Sequence, residues 1–344
     1  MIKIKPFLIT DESQVRALLR HQDEPVPYES FCQEEKILDA GLTFWQHWLP
    51  CHWHFAPSVY VAKDDGVVLG LVSVDSSGRS NNCWRIDHLV VHPQHRGRGI
   101  AQELIRYALA QFGSQGISHF TAEVCDQNSA ALSLLSSCGF RRLTRITYYQ
   151  VPIDFQDSAD SESLKTFRLA KPDDQKKLFQ LHQSVLPAEI RRVFDYVAED
   201  YQVTELNVDS LDKMTRHLLK RKSWYWVSDE KDRDVIPCAA RVSAHREGDF
   251  HIEFLVHPGW EHLSETVVDF VLTMMRRAGM KGMVVIKAYG FQKPLIEALD
   301  AAGLDRVGSF SLLAREHWLR AKKPRISIDQ AVTIPPLGRP AINI

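Results

Sequence analysis

The chain has 344 residues, 44% hydrophobic and 25% charged, with a formal net charge of −1. That length allows two domains, each able to bury a core of its own. The near-balance of charge gives no electrostatic reason to expect nucleic acid or an anionic membrane as partner, and no apolar run approaches the roughly 20 residues of a membrane-spanning helix.

The N-terminus, Met1-Ile2-Lys3-Ile4-Lys5, alternates like a strand and has no signal-peptide core. Cys32, Cys51, Cys83, Cys125, Cys138 and Cys238 are scattered, with no CxxC pair. They fit reduced thiols of a cytoplasmic protein better than a disulfide framework. A strand is expected over 5–9, followed by the acidic helix start Asp11-Glu12 and a helical region over 28–49. Strands follow over 58–63, 67–75 and 84–91, then a helix over 99–112, a strand over 119–125 and a shorter helix ending in Cys138-Gly139-Phe140.

The same order then repeats along the chain. A strand over 166–170 precedes Asp173-Asp174, a helical region over 187–200, and strands over 223–228, 235–243 and 250–256. A helix over 264–278, a strand over 283–288 and a short helix ending in Ala302-Gly303-Leu304 complete the copy, and Val256-His257-Pro258 superimposes on Val91-His92-Pro93. In each copy a final strand is expected to close that copy's own sheet. Alternating elements in this order indicate an α/β fold with a mixed sheet in each half. The expected domains are 1–152 and 165–321, joined by an acidic, Ser/Asp-rich linker at 153–164 and followed by an extended, Pro-containing tail at 322–344.

Residues 92–102 read His-Pro-Gln-His-Arg-Gly-Arg-Gly-Ile-Ala-Gln, between an apolar strand end and a helix whose Ile100, Leu104, Ile105, Ala108 and Phe112 share one face. Gly97-Arg98-Gly99 therefore lies where a strand hands over to a helix N-terminus. Unpaired N–H groups and partial positive charge make such a place an anion site, and glycine lets the backbone approach the ligand. A tight turn with two exposed arginines, Arg96 and Arg98, is the plainer reading of the same residues.

The context favours the anion site. Gln94-x-x-Gly97-x-Gly99 directly after Leu89-Val90-Val91-His92-Pro93, then Asn128-Ser129-Ala130-Ala131, then Gly139-Phe140, resembles the GCN5-related N-acetyltransferase (GNAT) superfamily. The resemblance covers about residues 3–150, and the repeat carries its outline, without its motifs, over 165–320. It implies two tandem acyl-CoA N-acyltransferase folds, the second degenerate, with acetyl-CoA as co-substrate. It also implies that the backbone of Leu89, Val90 and Val91 pairs with the pantetheine arm, and that Arg96, Gly97, Arg98, Gly99, Ile100 and Ala101 hold the pyrophosphate. Asn128 would bond near the end of the pantetheine, while an ordinary helix N-cap is its alternative and compatible role.

In the second copy Gly97 is replaced by His262, Gly99 by Ser264, Arg96 by Glu261 and Ile100 by Glu265, and Gln292 or Lys293 stands for Asn128. Bulk and negative charge there oppose an anionic ligand. For the first copy, an acceptor amine must be neutral to attack, so a general base is expected from Asp87, His88 or Glu123. Strand alternation puts Asp87 and Leu89 on one face and His88 and Val90 on the other. The resemblance favours the Asp87 face for a base, and His88 reads as a hydrogen-bonded core histidine.

The family's usual tyrosine acid, seven residues after the Asn, is here Leu135. Tyr148, Tyr149 or Ser136 are the candidates to replace it. The expected catalytic set is Asp87, Glu123 and Tyr148. Trp45, Trp48 and Trp53 could wall the acceptor or belong to the core, and His47, Cys51, His52 and His54 lack a zinc-ligand spacing, so no metal is expected. The expected activity is acetyl transfer to a small-molecule amine. A non-catalytic acyl-CoA-binding scaffold and a protein N-acetyltransferase are the rivals, and homodimer formation is left open.

Overall fold

A computed structural model describes residues 2–20, 37–38, 40, 44–48, 57–77, 82–151, 166–203, 223–230, 234–244, 249–277 and 283–317. The linker, the C-terminal tail, most of 28–49, and Cys32, Cys51, His52, Trp53 and His54 lie outside the described residues.

The first half contributes β1 (Lys3–Pro6), α1 (Glu12–Leu19), β2 (Ser58–Asp64), β3 (Val67–Ser76), β4 (Cys83–Val91), α2 (Ile100–Gly113), β5 (His119–Cys125), α3 (Ser129–Ser137) and β6 (Arg141–Gln150). The second contributes β7 (Phe167–Leu169), α4 (Gln175–Val185), α5 (Ala188–Phe194), β8 (Ser223–Glu230), β9 (Val235–Ala244), β10 (Phe250–Val256), α6 (Leu263–Arg277), β11 (Val284–Tyr289), α7 (Lys293–Ala301) and β12 (Asp305–Glu316). The expected strand at 5–9 lies earlier, because residues 9–11 wind into a 3-10 turn. The expected helix at 187–200 stops at Asp195, whose φ of +46° a helix cannot contain.

All twelve strands join one sheet in the order β1-β2-β3-β4-β5-β12-β6-β11-β10-β9-β8-β7. The order reads the same from both ends except at the centre, where the last strands have changed places. β12 of the second half pairs with β5 of the first, and β6 of the first half pairs with β11 of the second. The expectation that each copy closes its own sheet is thus corrected: each closes the other's. Hydrophobic alternation fixes which face of a strand is buried, not which neighbour it has.

One face of the sheet carries α1, α4 and α5, and the other carries α2, α3, α6 and α7. Trp84, Phe112 and Phe120 centre the first core under α2, and Phe254, Phe270 and Val267 the second under α6. Cys83, Cys125, Cys138 and Cys238 are buried free thiols, and burial pushes Cys83 up to about 12. No helix among the described residues is long and apolar enough to cross a membrane.

Candidate active site

β4 and β5 run parallel and pair only from Cys83↔His119 to Ile86↔Ala122. Beyond that point Asp87–Val91 and Glu123–Cys125 have no ladder between them, so the two strands form a wedge open at their C-terminal ends. The edge of β4 facing the wedge, Leu89 to Val91, has no strand of β5 beside it, which leaves room for an extended ligand to add to it.

The wedge begins at an irregularity. β3 pairs Ser73 with His88 and Val74 with Ile86, leaving Asp87 as the extra residue of a β-bulge. The bulge resets the alternation. Trp84, Ile86, Leu89 and Val91 all pack under α2, while Val90 packs under α1. Asp87 and Leu89 therefore do not share a face, which corrects the sequence expectation. Asp87 stays on the side of Arg85, whose Nε donates to its carboxylate.

β4 leads through a 3-10 turn, Pro93–His95, into the glycine loop. Gly97 and Gly99 have φ of +77° and +78°, and Gly99 is the N-cap of α2. Residues with a Cβ rarely adopt that conformation. A Cβ built on either glycine meets nothing within 4 Å, so the space beside the loop is open. The first bond into the helix runs from Glu103 N to Gly99 O, so the N–H groups of Ile100, Ala101 and Gln102 precede the intrahelical ladder. Arg96 and Arg98 are exposed; Arg96 Nε donates to Val91 O at 3.3 Å, and Arg98 Nη1 lies 3.4 Å from His95 Nδ1. Residues 96–101 thus surround one helix N-terminus with backbone donors and two cations, which fits a pyrophosphate.

At the open end of the wedge Asn128 caps α3, its Oδ1 accepting from Ala131 N at 2.8 Å. The N-cap role is therefore real. Leu135 is buried in the core under α2, where its side chain could serve no proton transfer.

The expected acids and bases meet at the apex of the wedge, but the carboxylates are occupied. Glu123 Oε1 accepts from Lys287 Nζ at 2.7 Å, and its Oε2 accepts from Tyr148 Oη at 2.8 Å. The Lys287 and Glu123 side chains are only 4% and 7% exposed. Lys287 belongs to the second half, a partner no sequence pattern near the motifs could announce. The Asp87 side chain is wholly buried against Arg85. Tyr149 points to the opposite face, donates to Asp300 Oδ1 at 2.9 Å, and is pushed up to about 12 by burial and Asp300. Ser136 is exposed on α3.

His88 differs from all of these. It is 1% exposed, both ring nitrogens lack a hydrogen-bond partner, and so does Ser73 Oγ opposite it. The reading of His88 as a hydrogen-bonded core histidine is corrected. Burial, then the Arg85 charge, lowers it to about 4, so the ring is neutral at pH 7. Of the aromatic stretch, Trp48 is 79% exposed and His47 packs on Tyr60 under α2, away from the α1 face. Trp45's side chain, Trp53 and the other residues of the zinc set are outside the described part.

The second half has the wedge but not its furnishings. β10 and β11 pair from Phe250↔Val284 to Glu253↔Lys287, and β10 runs along β9 without a bulge. The loop after β10 contains no residue of positive φ. Gln292, one of the two candidates for the position of Asn128, donates from Nε2 to Phe254 O at 2.9 Å and accepts from Tyr289 N at 3.0 Å. The side chain spans the wedge from β11 to β10 and takes the backbone acceptor that a ligand strand would use.

Comparison with known proteins agrees with this geometry. The profile of the acetyltransferase (GNAT) family matches residues 19–140. A mouse member of N-acetyltransferase family 8 is 33% identical over 88 residues, 25% of this chain and 39% of the relative. Human N-acetyltransferase 8B is 31% identical over 86 residues, 24% of this chain and 38% of the relative. The chain thus spans about two-fifths of the curated relatives it matches. Among solved structures, a GCN5-related N-acetyltransferase from Sphaerobacter thermophilus superimposes with a TM-score of 0.60 at 14% identity, covering 92% of this chain and 96% of that one. A tandem GNAT protein from the clavulanic acid biosynthesis pathway gives 0.57 at 15%, covering 93% and 100%. At such identities the likeness is one of fold.

Proposed function

The N-terminal half of the chain carries a domain of the GNAT acetyltransferase family, within a fold of two tandem GNAT halves, and from that premise we propose that the chain is an acetyl-CoA-dependent N-acetyltransferase acting on a small-molecule amine. The observation that carries the proposal is the glycine loop with open space beside it, set at the mouth of a splayed strand pair. Among the described residues it occurs in the first half alone. Bound there, acetyl-CoA supplies a thioester carbon to be attacked. Residues 97–101 hold the pyrophosphate with backbone N–H groups, Arg96 and Arg98 add cationic charge, and Leu89–Val91 and Asn128 align the pantetheine. A β4 backbone N–H beside the bulge faces the charge that develops on the carbonyl oxygen. The amine nitrogen forms its bond to the acetyl carbon as the carbon–sulfur bond breaks, both substrates being bound together. The thiolate leaves, and the amine's proton passes to the protein.

Calorimetric titration of the full chain with acetyl-CoA tests the reading. One site per chain is expected, lost in the Gly97→Glu/Gly99→Glu double variant. Absence of binding to the native chain would reduce the loop to a turn and remove the enzyme with it. A second reading, acyl-CoA binding without turnover, is favoured by the ion-paired state of Asp87 and Glu123 and by the buried Leu135. Thiol release with any amine from a panel excludes it. Acceptors that are protein N-termini belong in the same panel.

A further inference from the structure

The reaction needs a group to take the amine's proton, and the apex of the wedge offers three titratable candidates. Two are held by opposite charges, Asp87 by Arg85 and Glu123 by Lys287, and Glu123 also accepts from Tyr148. The third, His88, is buried with both ring nitrogens unpartnered, and on β3 the Ser73 hydroxyl opposite it is equally unpartnered. Buried polar atoms in folded proteins have hydrogen-bond partners in some 90% of cases or more, so three orphans on neighbouring residues require an explanation. A buried water takes about three such partners. Resting on the acetyltransferase reading, we propose that His88 and Ser73 hold a water molecule at the wedge and that His88 accepts the amine's proton through it.

The placement suits the role. The bulge at Asp87 turns His88 and Val90 to the α1 face, directly beside the residues where β4 and β5 part. What covers that face around Val90 is apolar: Val15 and Leu18 of α1, with Ile37 and Ala40. Of the charged groups, Arg85 on His88's own strand acts on the ring, Asp87 beside it is paired to Arg85, and β3 presents the uncharged Ser73. The positions are polar in both halves. With Val256 set on Val91, Arg241 and Glu253 occupy the cross-strand places of Ser73 and His88, and Arg241 Nη1 donates to Glu253 Oε2 at 3.3 Å. In the second half the two side chains bond each other. In the first they leave a proton acceptor and a hydroxyl unused.

Protons balance in the step. As the N–C bond forms, the amine gives a proton to the water, the water gives one to a His88 nitrogen, and the thiolate departs with the electron pair of the C–S bond. The imidazolium then returns its proton to solvent or to the thiolate.

The test uses the full chain with His88→Gln, Ser73→Ala, Asp87→Asn and Glu123→Gln, read by acetyl-CoA calorimetry and by thiol release against the amine panel, or by basal acetyl-CoA hydrolysis where no amine reacts. His88→Gln is expected to keep its acetyl-CoA affinity within about twofold, to lose some 10²–10⁴ in kcat/KM, and to lose the acid limb of the pH profile. Ser73→Ala should lose less, with the limb retained, and carries the rate test should His88→Gln fail to fold. Resonances of ¹⁵N-labelled His88 should shift when acetyl-CoA and amine bind. A His88→Gln rate within threefold of native, with Asp87→Asn or Glu123→Gln inactive, overturns the inference and leaves the acetyltransferase intact. A native chain that binds acetyl-CoA but neither transfers nor hydrolyses overturns both it and the enzyme. A native chain that does not bind removes the premise.

Discussion

Replacing Lys287 by methionine tests how the two halves are held together. The ammonium and the Glu123 carboxylate are 2.7 Å apart with side chains 4% and 7% exposed, and Tyr148 Oη donates to the same carboxylate at 2.8 Å. Methionine keeps most of the volume and removes the charge, leaving a buried carboxylate without its counter-ion. Breaking one side of such a pair costs about 3–5 kcal/mol, whereas neutralising both sides is often close to harmless. Lys287→Met should therefore lose about that much, a large share of the 5–15 kcal/mol typical of folded domains. Lys287→Met/Glu123→Gln should recover most of it. Urea unfolding of the native chain, both single variants and the double variant gives the coupling free energy directly. A Lys287→Met variant within about 1 kcal/mol of native, or a coupling near zero, would refute the claim that the Lys287–Glu123 pair couples the two halves.

Three further outcomes follow from the same structure. His88 and His182 are both buried and lowered from 6.5 to about 4, chiefly by burial. Below pH 6.5 the unfolded chain takes protons that the folded chain refuses, so their contribution is complete above that pH and is lost as pH falls through 4. The slope is about 1.4 kcal/mol per pH unit for each, near 3 kcal/mol per histidine by pH 4. Urea midpoints of His88→Gln/His182→Gln should fall less steeply than native over that window, and an unchanged slope counts against it. Residues 1–151 alone lose the β12 neighbour of β5, and β6 loses β11. That fragment should dimerise by exchanging β6 or aggregate, as light scattering would show, and a stable monomer contradicts the strand order. Gly97→Ala and Gly99→Ala meet no steric obstacle, so strain alone should cost each about 1–2 kcal/mol. Acetyl-CoA affinity should drop at least tenfold, and a loss of stability with affinity unchanged would identify a mere turn.

Much of this architecture could be read from particular residues. Val91-His92-Pro93 and Val256-His257-Pro258 revealed the repeat, and the loop at 97–99 folds as its glycines require. The bulge at Asp87 could not be read, because an inserted residue leaves the apolar pattern plausible on either side, and the placement of Asp87 on the face of Leu89 failed there, while His88 and Val90 do share a face. The pairing of Glu123 with Lys287 spans 164 residues and depends on a strand order that alternation does not encode. His88 has the composition of a core histidine. Only the absence of partners on both nitrogens, a three-dimensional fact, distinguishes it.

The exchange of β6 and β12 also explains how a half without a glycine loop remains integral to the protein. Three differences of the second half lie where a ligand would be: no bulge on β10, no positive φ in the loop after it, and Gln292 bonded across the wedge to Phe254 O. What it shares with the first half is the sheet. β12 runs beside β5 from Phe310↔Cys125 to Glu316↔His119, covering the edge opposite the wedge. Without it β5 would have one short parallel neighbour, β4, over four residue pairs, and would present a free edge along the rest. The splay between β4 and β5 demands that β5 be held from its other side, and in this chain the holding strand comes from the second half. Loss of the loop at 258–265 leaves that contribution intact, since none of those residues belongs to β12. A domain with no cradle of its own can thus be required for the geometry of the wedge in its neighbour.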